Sequence, residues 1–215
     1  ITGALLVKDL DRPDRFLYVL LRPQWKSWLV KGAYIITIFG GLVTIKLIDN
    51  IYGFNWNWLW VLGSIFSVLG AIYTAFLFAQ ARARDLWQSK WVSATHMLVH
   101  AIISGSFVLM IISPLSKNYM ANFLLLSITI NIIIIMKEIL FPHNTPDSKK
   151  AIHLMTKGYY SKYFWLGITL GSFIPIIMLS TQIGELVIIA GVLSLIGNYL
   201  TEYVRIRIPQ MIPLS

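Results

Sequence analysis

Long apolar runs alternate with short polar stretches along the whole chain. Six runs stand out, at about 29–48, 58–79, 92–112, 119–136, 163–180 and 184–203. A helix needs roughly 20 mainly apolar residues to cross the hydrocarbon core of a bilayer. The runs are continuous, whereas strands of a membrane barrel would alternate apolar and polar positions over about ten residues. The pattern therefore predicts an all-α fold, a polytopic transmembrane helix bundle forming one domain over 1–215, with no room for a separate soluble domain. Residues 1–7 read as the end of a helix that starts upstream, and no signal peptide is visible. Residues 8–28 read as an interfacial loop. Within it, Phe16, Leu17, Leu20 and Leu21 fall at helical spacing and Pro23 closes the segment. Residues 137–162 form the longest polar loop, and 204–215 a tail that leaves the last helix.

Two spans carry small residues at regular spacing. Gly63, Ser67, Ala71, Ala75 and Ala79 recur every fourth position, and Gly167 and Gly171 precede Pro175, a predicted kink. Such ridges let helix backbones approach closely in lipid.

Composition agrees with the pattern. Hydrophobic residues make up 57%, charged residues only 13%, and mean hydropathy is +0.70. A soluble domain carries about 25% charged residues. The net charge of +9 is asymmetric. If residues 8–28, 80–91, 137–162 and 204–215 share one face, side A, then fifteen of the eighteen Lys and Arg residues lie there, Lys31 just inside the adjoining span makes a sixteenth on that side, and only Lys46 and Lys117 fall toward side B. These charges flank membrane spans, where they meet lipid phosphates, so a nucleic-acid partner is not indicated. They either set topology or form a docking surface, in which case Arg15, Arg22, Arg82 and Arg84 are the candidates. The positive-inside rule would make side A cytoplasmic. Trp56, Trp58 and Trp60 near side B, and Trp87, Trp91 and Trp165 near side A, read as aromatic belts. The chain has no cysteine, which excludes Cys-ligated iron–sulfur clusters within it.

Ionisable groups inside a membrane are costly unless paired or hydrated, so each one is a candidate for chemistry. Asp9 stands beside Arg12, either as a hydrogen-bonding carboxylate or as half of a local ion pair. Tyr73 and Thr74 lie inside the second span. A buried phenol needs a partner, and a quinone carbonyl is one possible acceptor. His96 and His100 are four residues apart and share a helix face. They read as a proton relay, as haem ligands, or as a pair hydrogen-bonded inside the bundle. Haem has little support, because the remaining histidines, His143 and His153, are in a loop. No metal site is expected, since no carboxylate shares that helix face. Asn131 reads as an interhelical hydrogen bond, and Glu185, with Gln182 nearby, as an anion at a helix start.

Two segments carry a family resemblance. Residues 6–16 (LVKDLDRPDRF), with Leu-Arg-Pro at 21–23 and Ser-Trp at 27–28, resemble the DLGRPxRF…RP…SW stretch of the NrfD/polysulfide reductase membrane subunits. Residues 73–87 (YTAFLFAQARARDLW) are similar to that family's YTGxLLxxARxRPxW run. The 160–175 stretch and the Pro-Leu-Ser ending also look familial. Asp11 and Asp85 depart from the usual Gly and Pro. The resemblance implies a fold of eight or more helices and a membrane anchor subunit, without a catalytic headgroup of its own, in a respiratory complex of the prokaryotic cytoplasmic membrane. It implies bound menaquinone or ubiquinone, with Asp9 and Tyr73 as quinone-site residues and Arg12 as a supporting partner; beside it, His96 and His100 are the candidates to carry protons onward. It implies no haem. The implied partner is an iron–sulfur subunit, with a molybdopterin-type enzyme or within alternative complex III. In many members that partner docks outside the cytoplasmic membrane on the face corresponding to side A, opposite to the positive-inside reading. The competing expectation is an ion- or solute-translocating subunit without quinone chemistry, or a purely structural anchor.

Overall fold

The computed structural model describes residues 16–80, 85–113, 117–140, 145–181 and 183–212. Among these residues the structure is all-helical, and six helical segments are long and apolar enough to cross a membrane. The chain separates into two compact units, 1–80 and 81–215.

The first unit holds the short helix α1 (Phe16–Leu21) and two spans, α2 (Trp28–Tyr52) and α3 (Trp58–Phe78), packed as an antiparallel pair. Ser27 precedes α2 without capping it through its side chain. The free Trp28 N–H instead donates to Gln80 Oε1 at 2.8 Å, and Gln80 Nε2 donates to Lys26 O at 3.0 Å. One side chain beyond the end of α3 thus satisfies a helix start that would otherwise leave its amides unpaired. Trp28 stacks on Phe76 at the same end, with centroids 4.4 Å apart.

At the opposite end Gly53 takes the left-handed conformation (φ 73°) and its N–H returns to Asp49 O at 2.8 Å, closing α2. Asp49 is buried. Its carboxylate accepts from Lys46 Nζ and, at 3.0 Å, from Trp56 N. The rings of Tyr52, Phe54, Trp56 and Trp58 stack in sequence around this turn, as an interfacial belt predicts.

The second unit begins with a 3-10 turn (Asp85–Gln88), followed by α4 (Lys90–Ile112) and α5 (Lys117–Leu140). Next comes α6 (Pro146–Thr156), which lies within the stretch read from sequence as a polar loop. Its start is locally encoded: Thr145 Oγ1 accepts from Ser148 N at 3.2 Å, Pro146 fills the first turn, and Asp147 faces the positive helix end. Its buried face, Ala151, Ile152 and Met155, packs into an apolar cluster with Phe164, Val204 and Ile208.

The fifth span is interrupted. α7 (Ser161–Ile168) passes through a π-helical turn (Thr169–Phe173) into α8 (Ile174–Ser180). Pro175 has no N–H to offer the carbonyl four residues back, and the ladder shifts to the wider i→i+5 register just before it, with Ile174 N bonded to Thr169 O. The sixth span, α9 (Gly184–Met211), runs on past the apolar stretch and through Pro209. Pro209 cannot donate to Arg205 O. The Trp87 indole N–H donates to it instead, at 3.2 Å, so the helix continues without an unpaired carbonyl.

Helix α9 packs against α4, α6, α7 and α8. Gly197 meets the backbone of Gly171, so that a Cβ on either would overlap the other helix, and Gly191 accommodates the Phe107 ring. A second apolar cluster, including Ile103, Leu124, Ile128, Leu179 and Val187, fills the other end of the unit.

Candidate functional site

Between those clusters lies a group of charged and polar side chains contributed by three spans. Helix α4 places His96 and His100 one turn apart on its buried face. Their Nε2 atoms are 2.8 Å apart, with the rings edge to face and centroids 4.2 Å apart. Helix α9 brings Glu202 and Arg205 on one face. Glu202 Oε1 is 3.2 Å from His100 Nδ1, 3.6 Å from His96 Nε2 and 3.8 Å from Arg205 Nη1. Arg205 Nη2 donates to Glu138 Oε1 of α5 at 3.0 Å.

The group is largely removed from solvent. His96 is fully buried, Glu138, Arg205 and His100 expose 8%, 11% and 11% of their side chains, and Glu202 exposes 26%. Two carboxylates face one guanidinium. With both imidazoles neutral the group carries one net negative charge, and one added proton makes it neutral. Burying charges is costly unless they are paired, and the ion pairs within the group offset that cost. Among the described residues, His96 Nδ1 is buried with no hydrogen-bond partner, and Glu202 Oε1 makes ion-pair contacts without hydrogen-bond alignment.

His96, His100 and Glu202 also offer three donor atoms within 4.8 Å of one another, a set that a transition metal accepts. The expectation of no metal site rested on the lack of a carboxylate along the face of α4. The carboxylate comes instead from α9. Arg205, 3.8 Å from it, adds a fixed positive charge that opposes a bound cation.

The other residues singled out from sequence divide by unit. Tyr73 is half-buried in α3, and its ring packs against Gly32 of α2, where any Cβ would overlap it. This close approach packs the Tyr73 ring between α2 and α3. Arg22 follows α1 and is exposed. Asp9, Arg12, Arg15, Arg82 and Arg84 lie outside the described residues. Asn131 is buried, but its Oδ1 has no hydrogen-bond partner among the described residues, so the expected interhelical bond is not made through that atom within them. Glu185 is exposed in the first turn of α9, as an anion at a helix start should be.

Glu202, Arg205 and Glu138 were not among the sequence candidates. Arg205 counted only as rim charge and Glu138 as part of a loop. The available signal was the pair Glu202 and Arg205, three apart, in the continuation of an apolar helix.

The sequence profile described as "Polysulphide reductase, NrfD" matches residues 1–213 of the 215. The chain belongs to the polysulphide reductase NrfD family. Among curated proteins and among solved structures, nothing matches it. As an NrfD-family membrane subunit it falls in a group whose members are generally quinol-linked anchors of respiratory oxidoreductases.

Proposed function

We propose that this NrfD-family subunit binds menaquinone or ubiquinone in the prokaryotic cytoplasmic membrane and passes electrons between it and an iron–sulfur partner subunit, itself joined to a molybdopterin-type or related enzyme. The family match across nearly the whole chain carries this reading. Bound quinol supplies two electrons and two protons. Tyr73, packed against Gly32, donates a hydrogen bond to an oxygen of the head group, and Asp9 accepts a proton, with Arg12 as its supporting partner. With no cysteine in the chain, Cys-ligated clusters belong to the partner, and Arg15, Arg22, Arg82 and Arg84 are the candidate residues to contact it.

The test uses the intact complex. Tyr73→Phe and Asp9→Asn should each lower quinol-linked turnover by roughly 10²-fold or more, the range for losing a positioned acid–base group. The complex should still assemble at wild-type yield. Wild-type turnover in both variants would overturn the site assignment. A complex that retains no quinone and no iron–sulfur neighbour would overturn the function.

A further inference from the structure

Helix α6 carries a basic face that the proposed electron path does not use. Lys149, Lys150, His153 and Lys157 are exposed along it, opposite the buried Ser148, Ala151, Ile152 and Met155. Asp147 is the one carboxylate between residues 146 and 162, against the four lysines 149, 150, 157 and 162. Its Oδ1 accepts from Lys150 Nζ at 3.2 Å, an exposed pair of the kind that contributes little.

The helix lies at the level of the lipid head groups. Its buried face rests on the ends of two spans, against Phe164, Val204 and Ile208. The Trp165 indole N–H donates to Thr156 O at 3.0 Å and so pairs one of the carbonyls left open at the end of α6. Tyr159, Tyr163 and Trp165 are exposed around that end, and amphipathic rings gather at the boundary between bilayer and water.

Between α6 and the last turn of α9 runs an open groove of about 290 Å³, lined by Lys150, His153, Leu154, Met211 and Ile212. Leu154, Met211 and Ile212 make its floor apolar, and Lys150 and His153 set donors on its rim. We propose that this groove binds one anionic phospholipid, with an acyl chain along the floor and the phosphate against Lys150 and His153. Charge complementarity selects the occupant. A neutral apolar ligand leaves the basic rim unused, and a free phosphate leaves the apolar floor bare. A lipid meets both halves, and the bilayer supplies it as solvent. His153 serves as an N–H donor whether neutral or charged. The bound lipid joins α6 to α9 at the margin of the apolar cluster that holds Met155 and Ile212. Among the described residues, the lining shares none with the quinone assignment, so either can fail without the other.

The test is lipid retention by the full-length protein in detergent, read by native mass spectrometry. The probes are phosphatidylglycerol and phosphatidylcholine with matched chains. A lysine beside anionic lipid is worth roughly fivefold in binding, so one phosphatidylglycerol should be held per chain with about that preference or more. Lys150→Gln with His153→Gln should remove the preference. Met211→Gln should weaken retention of both lipids. Lys149→Gln with Lys162→Gln takes away two charges outside the groove and should leave the preference within about twofold of wild type. Equal loss in the two double variants would mean diffuse attraction to surface charge and would overturn the site. Equal retention of the two lipids would do the same. So would displacement by excess inorganic phosphate, which marks a free-anion site, or an intact complex in which a protein subunit covers α6 and no lipid is held. If a variant does not fold, amide exchange in the wild type decides. Phosphatidylglycerol should slow exchange across 146–156 and phosphatidylcholine should not; the same exchange with both lipids would refute the site.

Discussion

At the scale of single residues, the structure spends its few buried charges on fixed geometry. Arg205 neutralises Glu138 directly and Glu202 at a longer distance. Removing one partner from a buried group strands the others, which costs about 3–5 kcal/mol. Arg205→Ala should therefore destabilise the second unit by that amount in an unfolding assay in bilayers or detergent. The double variant Arg205→Met with Glu138→Gln should recover a large part of the loss, since it removes a charge of each sign. Equal destabilisation in both would show that Arg205 contributes packing rather than charge. Asp49 holds a different kind of structure. Its carboxylate accepts from Trp56 N and Lys46 Nζ at the turn between α2 and α3. Asp49→Ala should cost about 1.5–3 kcal/mol, the usual worth of hydrogen bonds to a charged group. Asp49→Asn keeps an acceptor for Trp56 N and should cost less. Thermal unfolding of the two variants side by side would check this order.

At the scale of elements, legibility depended on distance along the chain. The six spans were readable because a bilayer demands long uninterrupted apolar runs, and each run corresponds to a helical segment. The length of α9 was not readable. Pro209 reads locally as a stop, and only the Trp87 indole, remote in sequence, supplies the donor that Arg205 O lacks. The amphipathic helix α6 was also missed, although Thr145, Pro146 and Asp147 form a local start signal, because its apolar face is short and set among lysines. The same reasoning separates the parts of the candidate site. The i, i+4 spacing brought His96 and His100 together on paper, but nothing local shows that Glu202 and Glu138 arrive from two other helices. Where a start signal is local, its removal has a local effect. Thr145→Ala should weaken α6 by about 1 kcal/mol. Amide exchange across 146–156 should then quicken about fivefold, with α4 and α5 unchanged. The crossing of α9 with the π turn is less forgiving. Gly197→Val would drive a side chain into the Gly171 backbone, and overpacking of this kind costs about 1–3 kcal/mol or more.

At the scale of the whole molecule, each unit presents to its surroundings a surface that water would not tolerate. Ile133, Ile177, Trp60 and Val61 all expose more than half of their side chains, amid many other exposed large apolar residues. Soluble monomers rarely expose apolar patches beyond a few hundred Å². With lipid as the solvent, such a surface is ordinary, and the rules for substitution change sign. Trimming an exposed apolar side chain in lipid replaces a lipid contact with another lipid contact. Ile133→Ala should therefore leave stability within about 0.5 kcal/mol of wild type. Ile128, on the same helix but fully buried among Ile103, Leu124 and Leu179, should lose about 2–5 kcal/mol on truncation to Ala, because the cavity forfeits packing that lipid cannot restore. Ile133→Arg completes the set. A charge at the lipid face of a span costs about 2.5–3.5 kcal/mol on insertion scales, so the variant should insert poorly while the same change would pass unnoticed on a water-facing helix. The three variants can be compared by membrane yield and by unfolding in bilayers. An Ile133→Arg variant that inserts and unfolds like the wild type would mean that this face of α5 meets water or a polar partner, and the bilayer account of the second unit would have to be redrawn.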